Sequence, residues 1–218
     1  MTGFFYVSSQ QCFVSNETHV ITTNHFFNTF FILCIPTTTT NENPTWLLAT
    51  FIFWTATINQ WQYLLQDDRY KNVIIDSLKY LSEKGKIDVF AFVIMPNHVH
   101  FIWRIKAMNG KETPHASFLK YTAHEFRKML MQEDPRRLLR YAVEARNKAH
   151  EFWRRDSLAV HLYSSPVANQ KMNYIHLNPI SKHWKFVDDP CDYAYSTASF
   201  YGRGRKDFSF VKDLQNEF

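Results

Sequence analysis

The chain has 218 residues, of which 45% are hydrophobic and 17% aromatic, and its formal net charge is +5. This length suits one ordinary domain with a core and is too short for two large domains, and the apolar content excludes a disordered chain. The positive charge is compatible with a polyanionic partner, but many basic proteins bind no nucleic acid, so charge alone does not decide the matter.

The three cysteines, Cys12, Cys34 and Cys191, lie far apart in the sequence and form no CxxC pair. This favours a reducing compartment and argues against a disulfide framework or a cysteine-built zinc site. The apolar run at 26–35 is too short and too polar for a membrane span, and no basic segment precedes it as in a secretory signal. We therefore expect a cytoplasmic protein without a membrane partner.

Residues 1–44 differ in composition from the rest of the chain. They contain no Lys or Arg, and they end in a stretch rich in Thr, Asn and Pro. Such a stretch is typical of a linker. We predict a poorly ordered N-terminal extension over 1–44 and a single domain over 45–218. The alternative is that 1–44 is an ordinary β-rich segment of the fold.

From residue 46 onward, alternating and helical periodicities predict regular elements. In chain order these are a strand at 47–58, a helix at 70–84 that Gly85 ends, strands at 87–95 and 98–105, helices at 114–132 and 136–150, a strand at 158–163, a helix at 167–176 and a short helix near Tyr193. The order predicts an α+β fold of the ferredoxin-like split βαβ type. We expect an antiparallel sheet with helices on one face, which leaves the opposite face available for a site.

The most informative segment spans 93–103 and contains His98 and His100 directly after a Pro-Asn turn. Side chains alternate between the two faces of a strand, so both imidazoles point to one face while Val99 turns toward the core. Two neighbouring imidazoles can share one metal ion, although an isolated HxH pair is more often structural. The position of this pair between a tight turn and an apolar strand favours the metal interpretation.

Three segments occur in an order that resembles one protein family. MPNHVHFIW at 95–103 contains a histidine–hydrophobic–histidine motif, YIHLNP at 174–179 resembles a "YIHxNP" signature, and DDPCDYAYST at 188–197 resembles an "xxPxDYxYSS" block. Together they resemble the single-tyrosine transposases of the HUH endonuclease superfamily, of the insertion-sequence and REP-associated types. The resemblance covers roughly 46–205 and implies the HUH transposase fold.

The resemblance implies a nucleophilic tyrosine on a helix that faces the metal site. The stretch 117–126 matches that helix and makes Tyr121 the expected nucleophile. Glu125 lies four residues further along, on the same helix face, where insertion-sequence relatives carry the third metal ligand, often Gln. We therefore expect His98, His100 and Glu125 to hold Mg²⁺ or Mn²⁺.

Other assignments within this site stay open. His124 is a less favoured third ligand, because it points away from Glu125 around the helix. If Tyr121 is not the nucleophile, Tyr174 and Tyr163 are the next candidates.

The expected activity is metal-dependent nicking and strand transfer of single-stranded DNA, in which a tyrosine forms a 5′-phosphotyrosine intermediate. The expected substrate contains a hairpin. The alternative is a domesticated or inactive homologue that binds structured DNA without cutting it. A zinc hydrolase built on the same residues is disfavoured, because the sequence lacks an HExxH helix. Relatives often dimerise, so a homodimer is a further expectation.

The segment 120–155 contains ten Lys or Arg residues and five acids, which is compatible with a surface that follows a DNA backbone. For most of these residues individually, a solvated helix face is the simpler interpretation. Residues expected to contact nucleic acid are Arg127, Lys128, Arg136, Arg137, Arg140, Trp103 and Trp153.

Overall fold

The structure, a computed structural model, describes residues 49–145 and 148–217. These residues form a four-stranded sheet, a separate two-stranded hairpin and several helices. The strands are β1 (Phe51–Thr57), β2 (Ile87–Ile94), β3 (His98–Ile105), β4 (Ala142–Ala145), β5 (Lys148–His150) and β6 (Leu158–His161). The helices are α1 (Asp68–Glu83), α2 (Pro114–Glu133), α3 (Pro135–Leu138), α4 (Ser165–Leu177) and α5 (Ala198–Arg203).

The large sheet has the strand order β2-β3-β1-β6, and every neighbouring pair in it is antiparallel. β1 and β2 therefore run parallel to each other on either side of β3. Since α1 joins them, β1-α1-β2 is a split βαβ unit. The predicted α+β, ferredoxin-like fold class is confirmed, and the elements up to α2 begin and end within a few residues of the predicted positions.

Helices cover both faces of the sheet. α1 and α2 pack on one face, where Leu78 and Phe118 join Phe101 of β3 in one apolar cluster. α4 packs on the opposite face, where Ile175 joins Ile102 in a second cluster. β2 is buried along its whole length as a result. The expectation of helices on one face alone is corrected by α4, which leaves only the beginning of β3 for a site.

Local signals set the ends of the first two helices. The Asp67 side chain accepts a hydrogen bond from Arg69 N at 2.9 Å and caps α1. Gly85 ends that helix with a φ of 64°, a conformation that glycine adopts without steric cost. Pro114 opens α2 at the first helical position, where its missing N–H is not needed.

The segment predicted as a helix over 136–150 is mostly a β-hairpin, so this prediction is wrong. The short helix α3 ends at Leu138, and β4 and β5 pair antiparallel after it. The rings of Tyr141 and Phe152 stack at the base of the hairpin with centroids 4.7 Å apart. A continuous helix would separate these residues by about 16 Å, so a tertiary contact overrides the local helical preference.

The short helix predicted near Tyr193 is also displaced along the chain. A single turn of 3-10 helix covers Pro190–Asp192, and α5 begins only at Ala198. Between them, Tyr193 donates a hydrogen bond to Ile94 O at 2.9 Å, which attaches this segment to the end of β2.

The C-terminal segment covers the outer edge of β2. Lys212 N donates to Val89 O at 2.9 Å. The Asp88 side chain is 3% exposed and lies 2.6 Å from Lys212 Nζ and 2.7 Å from Arg104 Nη2. This edge is therefore closed to pairing with another strand.

The predicted extension at 1–44 and the apolar run at 26–35 lie outside the described residues. The domain boundary at residue 45 therefore stays a prediction. Within 49–145 and 148–217, no helix is long and apolar enough to cross a membrane.

Candidate active site

His98 and His100 lie at the beginning of β3 and point to the sheet face that α4 partly covers. Val99 and Phe101 alternate with them and belong to the core beneath α1 and α2. The two imidazole centroids are 4.8 Å apart, with the rings nearly perpendicular at 69°. The regular strand thus places the two imidazole rings side by side, where both can bind one metal ion without any backbone distortion.

His100 is held by two neighbours on β1. Its ring stacks on Phe53 with a centroid distance of 5.4 Å, and its Nδ1 lies 2.7 Å from the Thr55 hydroxyl oxygen. Burial lowers the pKa of His100 well below its usual value, and the charges of His98 and Lys171 lower it further. His100 Nε2 is buried without a hydrogen-bond partner among the described residues. A neutral ring that donates from Nδ1 to Thr55 carries its lone pair on this unpartnered Nε2.

His98 is oriented in the same way by the residue before it. Its Nδ1 lies 2.7 Å from the Asn97 side-chain carbonyl oxygen, so Nδ1–H donates and Nε2 keeps the lone pair. Burial lowers the pKa of His98 to about 4, and the charge of His183 acts in the same direction. Both histidines are therefore neutral at physiological pH, as metal-binding imidazoles must be.

Tyr174 on α4 lies directly beside this pair. Its ring centroid is 5.2 Å from that of His100 and 6.0 Å from that of Phe53. The side chain is half exposed, and burial raises the pKa of its phenol, while a side-chain hydrogen bond with Asn178 lowers it by a smaller amount. Asn178 lies four residues beyond Tyr174 at the end of α4, on the same side of the helix.

Tyr121 and Glu125 lie on α2, which packs on the other face of the sheet. Tyr121 lines a cavity of about 450 Å³ together with Asp76, Tyr80 and Asn109, and Glu125 Oε2 lies 3.9 Å from Lys128 Nζ. The sheet separates both side chains from the histidines of the same chain. Within one chain, the position of α2 therefore does not bring Tyr121 and Glu125 to the histidine pair, contrary to their expected roles as nucleophile and metal ligand.

A signal for Tyr174 was present in the sequence. Tyr174 and Asn178 are four residues apart, the spacing on which the pairing of Tyr121 with Glu125 was based. They lie in the YIHLNP segment. Periodicity shows which side chains share a helix face, but it does not show on which face of the sheet that helix packs. Among the described residues, no third His, Cys, Asp or Glu joins His98 and His100 in a metal-binding group.

The other two family-like segments meet each other beneath α4. His176 Nε2 lies 2.9 Å from Thr197 Oγ1, and Thr197 Oγ1 accepts a hydrogen bond from Phe92 N at 3.0 Å. Burial lowers the pKa of His176 to about 4. The neutral imidazole therefore acts as a buried connector between α4 and β2, and the link fixes the helix that carries Tyr174.

The residues expected to contact nucleic acid divide into two groups. Trp103 is 1% exposed and Trp153 6% exposed, and Trp153 Nε1 donates a hydrogen bond to the Thr122 hydroxyl at 2.9 Å. Both indoles belong to the core, which corrects their assignment as base-stacking residues. The basic side chains lie at the surface, exposed or half-buried: Arg127, Lys128, Arg136, Arg137 and Arg140.

The chain shares its fold with a solved structure of a REP-associated tyrosine transposase bound to a REP hairpin. The TM-score is 0.50 at 16% sequence identity, and the match covers 77% of this chain and 93% of that one. A protein of Deinococcus radiodurans R1 that is classed as a transposase matches with a TM-score of 0.35, which is too low to define a common fold, at 14% identity over 62% of this chain and 95% of that one. No protein-family model and no curated protein sequence matches the chain.

Proposed function

We propose that this chain is a single-tyrosine transposase of the HUH superfamily. It nicks single-stranded DNA beside a hairpin and transfers strands through a 5′-phosphotyrosine intermediate. Tyr174 replaces Tyr121 as the proposed nucleophile. One observation carries the proposal: the Tyr174 ring lies 5.2 Å from the ring of His100, on the face where both histidines of β3 point.

The histidine pair fits a divalent metal ion. His100 has a buried Nε2 without a hydrogen-bond partner in the described part of the chain. Thr55 and Asn97 orient both rings through Nδ1, as the oxygen atoms that bond to the outer nitrogen of metal-bound histidines do. His98, His100 and the side-chain oxygen of Asn178 would hold Mg²⁺ or Mn²⁺. When bound, the ion polarises the scissile phosphate and withdraws charge from the leaving 3′ oxygen.

The chain itself supplies the nucleophile. The Tyr174 Oη–phosphorus bond forms as the bond from phosphorus to the 3′ oxygen breaks, the phenol proton passes to solvent, and the 3′ oxygen takes a proton from water. Burial raises the pKa of the Tyr174 phenol, so the neutral phenol is a weak nucleophile until substrate and metal arrive. Because the new ester retains the bond energy, a 3′ hydroxyl can reverse the step and join strands.

Lys171 brings positive charge to the same face one turn before Tyr174. Its Nζ lies 5.1 Å from the centroid of the Phe53 ring, and its charge acts on His100. A cation at this place attracts the phosphate that Tyr174 attacks. Lys171 is therefore the proposed phosphate-positioning residue of the site.

The proposed partner is DNA with a hairpin and an unpaired flank. The solved relative in fold is bound to a REP hairpin, and the exposed arginines of α2, α3 and the turn after α3 are suited to contact a phosphate backbone. A homodimer remains compatible with this proposal. Tyr174 already lies beside the histidines of its own chain, so the site does not need a second copy to bring nucleophile and ligands together.

Covalent capture tests the proposal directly. The protein is incubated with Mn²⁺ and a labelled hairpin oligonucleotide that has unpaired flanks, and a DNA–protein adduct is detected on a denaturing gel. We expect the wild-type protein to form the adduct and Tyr174→Phe to abolish it, because phenylalanine keeps the ring but lacks the attacking oxygen. Tyr121→Phe is the matched control and should form the adduct as the wild type does.

Two outcomes would contradict this assignment. An adduct that persists in Tyr174→Phe and disappears in Tyr121→Phe would return the nucleophile to α2 and require a second copy of the chain. Tight hairpin binding without any metal-dependent adduct would favour the second candidate function, a homologue that binds structured DNA without cutting it. One observation supports that alternative: among the described residues, no third His, Cys, Asp or Glu joins the histidine pair.

A further inference from the structure

Three aromatic side chains form a continuous row beside the histidine pair. The ring centroids of Tyr63 and Trp184 are 6.0 Å apart, and those of Trp184 and Phe186 are 5.4 Å apart with a 30° interplanar angle. Trp184 also lies 6.1 Å from the ring of His98. We call Tyr63, Trp184 and Phe186 the aromatic strip. It extends the candidate site outward from the first histidine.

The aromatic strip is at the surface rather than in the core. Tyr63 is 49% exposed and Phe186 45% exposed, while Trp184 is partly buried and rests its inner side on the cluster beneath α4. Single exposed apolar residues need no explanation, but a contiguous exposed patch marks a binding surface. Further exposed large side chains in the neighbouring segments are Trp61, Tyr174 and Leu177.

A constrained turn presents two members of the strip. Phe186 N donates to Pro179 O at 3.0 Å, and Trp184 N donates to Ser181 O at 2.9 Å. Between these rings, Lys185 has a φ of 44°, in the left-handed region that residues other than glycine rarely adopt. Such strain persists where the surrounding structure enforces it, which is common at ligand-binding sites. The turn directly follows Asn178, so the strip is continuous with the proposed metal site.

Positive charge borders the strip. Arg137 Nη2 donates to the backbone oxygen of Tyr63 at 3.3 Å, and the guanidinium of Arg154 lies 5.5 Å from the centroid of the exposed Trp61 ring. Lys182 and Lys185 are exposed on the turn that carries Trp184. Flat rings between cations are the combination that binds unpaired nucleic acid, since bases stack on the rings while phosphates contact the cations.

We infer that the aromatic strip is a base-stacking subsite that holds the unpaired strand flanking the hairpin and guides its phosphate toward His98. The inference rests on the proposed function and assigns it a substrate-binding surface. Stacking on ring faces is tolerant of sequence, because every base has a π-face. The strip therefore selects unpaired over paired DNA, and base identity is of secondary importance at these positions.

Binding measured without cleavage tests the subsite. Fluorescence anisotropy in EDTA compares a hairpin with an unpaired flank and the same hairpin with a blunt end. We expect Trp184→Leu, which keeps apolar volume but removes the stacking ring, to weaken binding of the flanked hairpin about tenfold, as loss of one base–ring stack does. Binding of the blunt hairpin should stay unchanged, and Trp184→Phe should keep most of the affinity for the flanked one.

Control variants separate stacking from a folding defect. Tyr80→Leu replaces a ring that is 53% exposed on α1, on the opposite side of the sheet, and should bind both hairpins as the wild type does. Phe186→Ala changes an exposed ring of the strip and should weaken binding of the flanked hairpin even if Trp184→Leu fails to fold. Thermal melting of each variant verifies its folding. Photocrosslinks from 5-iododeoxyuridine in the flank should map to the strip.

The outcomes distinguish this inference from the proposed function. A selective loss for the flanked hairpin without any covalent adduct supports the subsite and contradicts the nickase. Adduct formation with unchanged flanked-hairpin binding in both strip variants overturns the subsite and leaves the nickase standing. A dimer that Trp184→Leu dissociates, with unaffected DNA binding, would also overturn the subsite and assign the strip to a second copy of the chain.

Discussion

His98 and His100 each use Nδ1 to contact a neighbouring oxygen, and this leaves Nε2 free to coordinate. Thr55 acts from the adjacent strand β1, while Asn97 acts from the turn before β3. These contacts matter at the scale of single residues, because a hydrogen bond at one ring nitrogen decides both the tautomer and the orientation of the other. Thr55 is therefore predicted to tune the metal site without touching the metal.

Replacing Thr55 tests this role. Thr55→Val keeps the shape of the side chain and removes the hydroxyl that pairs with His100 Nδ1. We expect the Mn²⁺ concentration for half-maximal adduct formation to rise about 10- to 100-fold, as for other outer partners of metal-bound histidines. A Mn²⁺ titration of adduct formation measures it, and Thr55→Ser should restore the wild-type requirement. An unchanged metal requirement in Thr55→Val would remove Thr55 from the site.

The sequence was sufficient to predict that His98 and His100 point to one face of the sheet, but not which tyrosine lies beside them. His98 and His100 share a face because strand alternation is local, and their Pro-Asn turn is visible in the chain. The choice between Tyr121 and Tyr174 depends on which sheet face α2 and α4 cover, and that is decided by packing between distant segments such as Ile175 with Ile102. The periodicity of a helix does not show which face of the sheet that helix covers.

At the scale of elements, the hairpin β4–β5 also depends on contacts that a local sequence pattern does not contain. The segment 136–145 has a sequence that favours a helix, yet the rings of Tyr141 and Phe152 stack and the chain forms a hairpin. The end of α1 at Gly85, by contrast, was predictable, because this glycine acts on the backbone next to it. Local chemistry thus sets α1, whereas the element after α3 depends on the pairing of β4 with β5 and on the packing of Tyr141 against Phe152.

The attachment of the C-terminal segment to β2 depends on one buried carboxylate. Burial raises the pKa of Asp88, but hydrogen bonds from Lys212 and Arg104, together with the charges of Lys212 and Lys106, lower it by more, so the pKa lies below its usual value. A carboxyl with a lowered pKa in the folded state stabilises the protein above its unfolded-state pKa. This stabilisation is lost as the pH falls through the folded-state value.

Asp88→Asn should therefore lower the free energy of unfolding at neutral pH by on the order of 1 to 2 kcal/mol, because it removes the buried carboxylate that accepts hydrogen bonds from Arg104 and Lys212. The difference between variant and wild type should be constant above about pH 4 and shrink below it. Urea denaturation at a series of pH values measures this. Asp76→Asn removes an exposed carboxyl of α1 and should change the stability by less than about 0.5 kcal/mol. An equal effect of both variants would argue against the anchoring role of Asp88.

At the scale of the whole molecule, the sheet separates two surfaces that carry different sets of side chains. The face beneath α4 carries the histidines, Tyr174 and the aromatic strip, and Arg137 reaches this region from α3 through the backbone oxygen of Tyr63. The face beneath α1 and α2 carries the cavity that Tyr121 lines. Positive charge on α3 and the turn after it should therefore contribute to DNA binding, whereas the lysines of α1 should not.

The salt dependence of binding tests this division. Each phosphate contact contributes about 0.7 to 0.9 to the slope of log affinity against log salt concentration. The double variant Arg136→Gln/Arg140→Gln should therefore reduce the magnitude of this slope for the flanked hairpin by about one to two. Anisotropy titrations over a range of salt concentrations measure the slope. Lys79→Gln/Lys84→Gln removes the same charge from α1 and from the residue that caps its C-terminal end, and should leave the slope unchanged. Equal reductions in both variants would indicate a nonspecific charge effect.

The link between His176 and Thr197 has a consequence for the order of events during synthesis. His176 of α4 is hydrogen-bonded to Thr197, and Thr197 and Tyr193 are hydrogen-bonded in turn to Phe92 and Ile94 of β2. A nascent chain that has emerged only as far as α4 already contains both histidines, Tyr174 and the apolar contact of Ile175 with Ile102, but it lacks the hydrogen bonds that Thr197 and Tyr193 make. Since domains emerge from the ribosome with their N-terminal part first, the helix that carries Tyr174 gains these hydrogen bonds only near the end of translation.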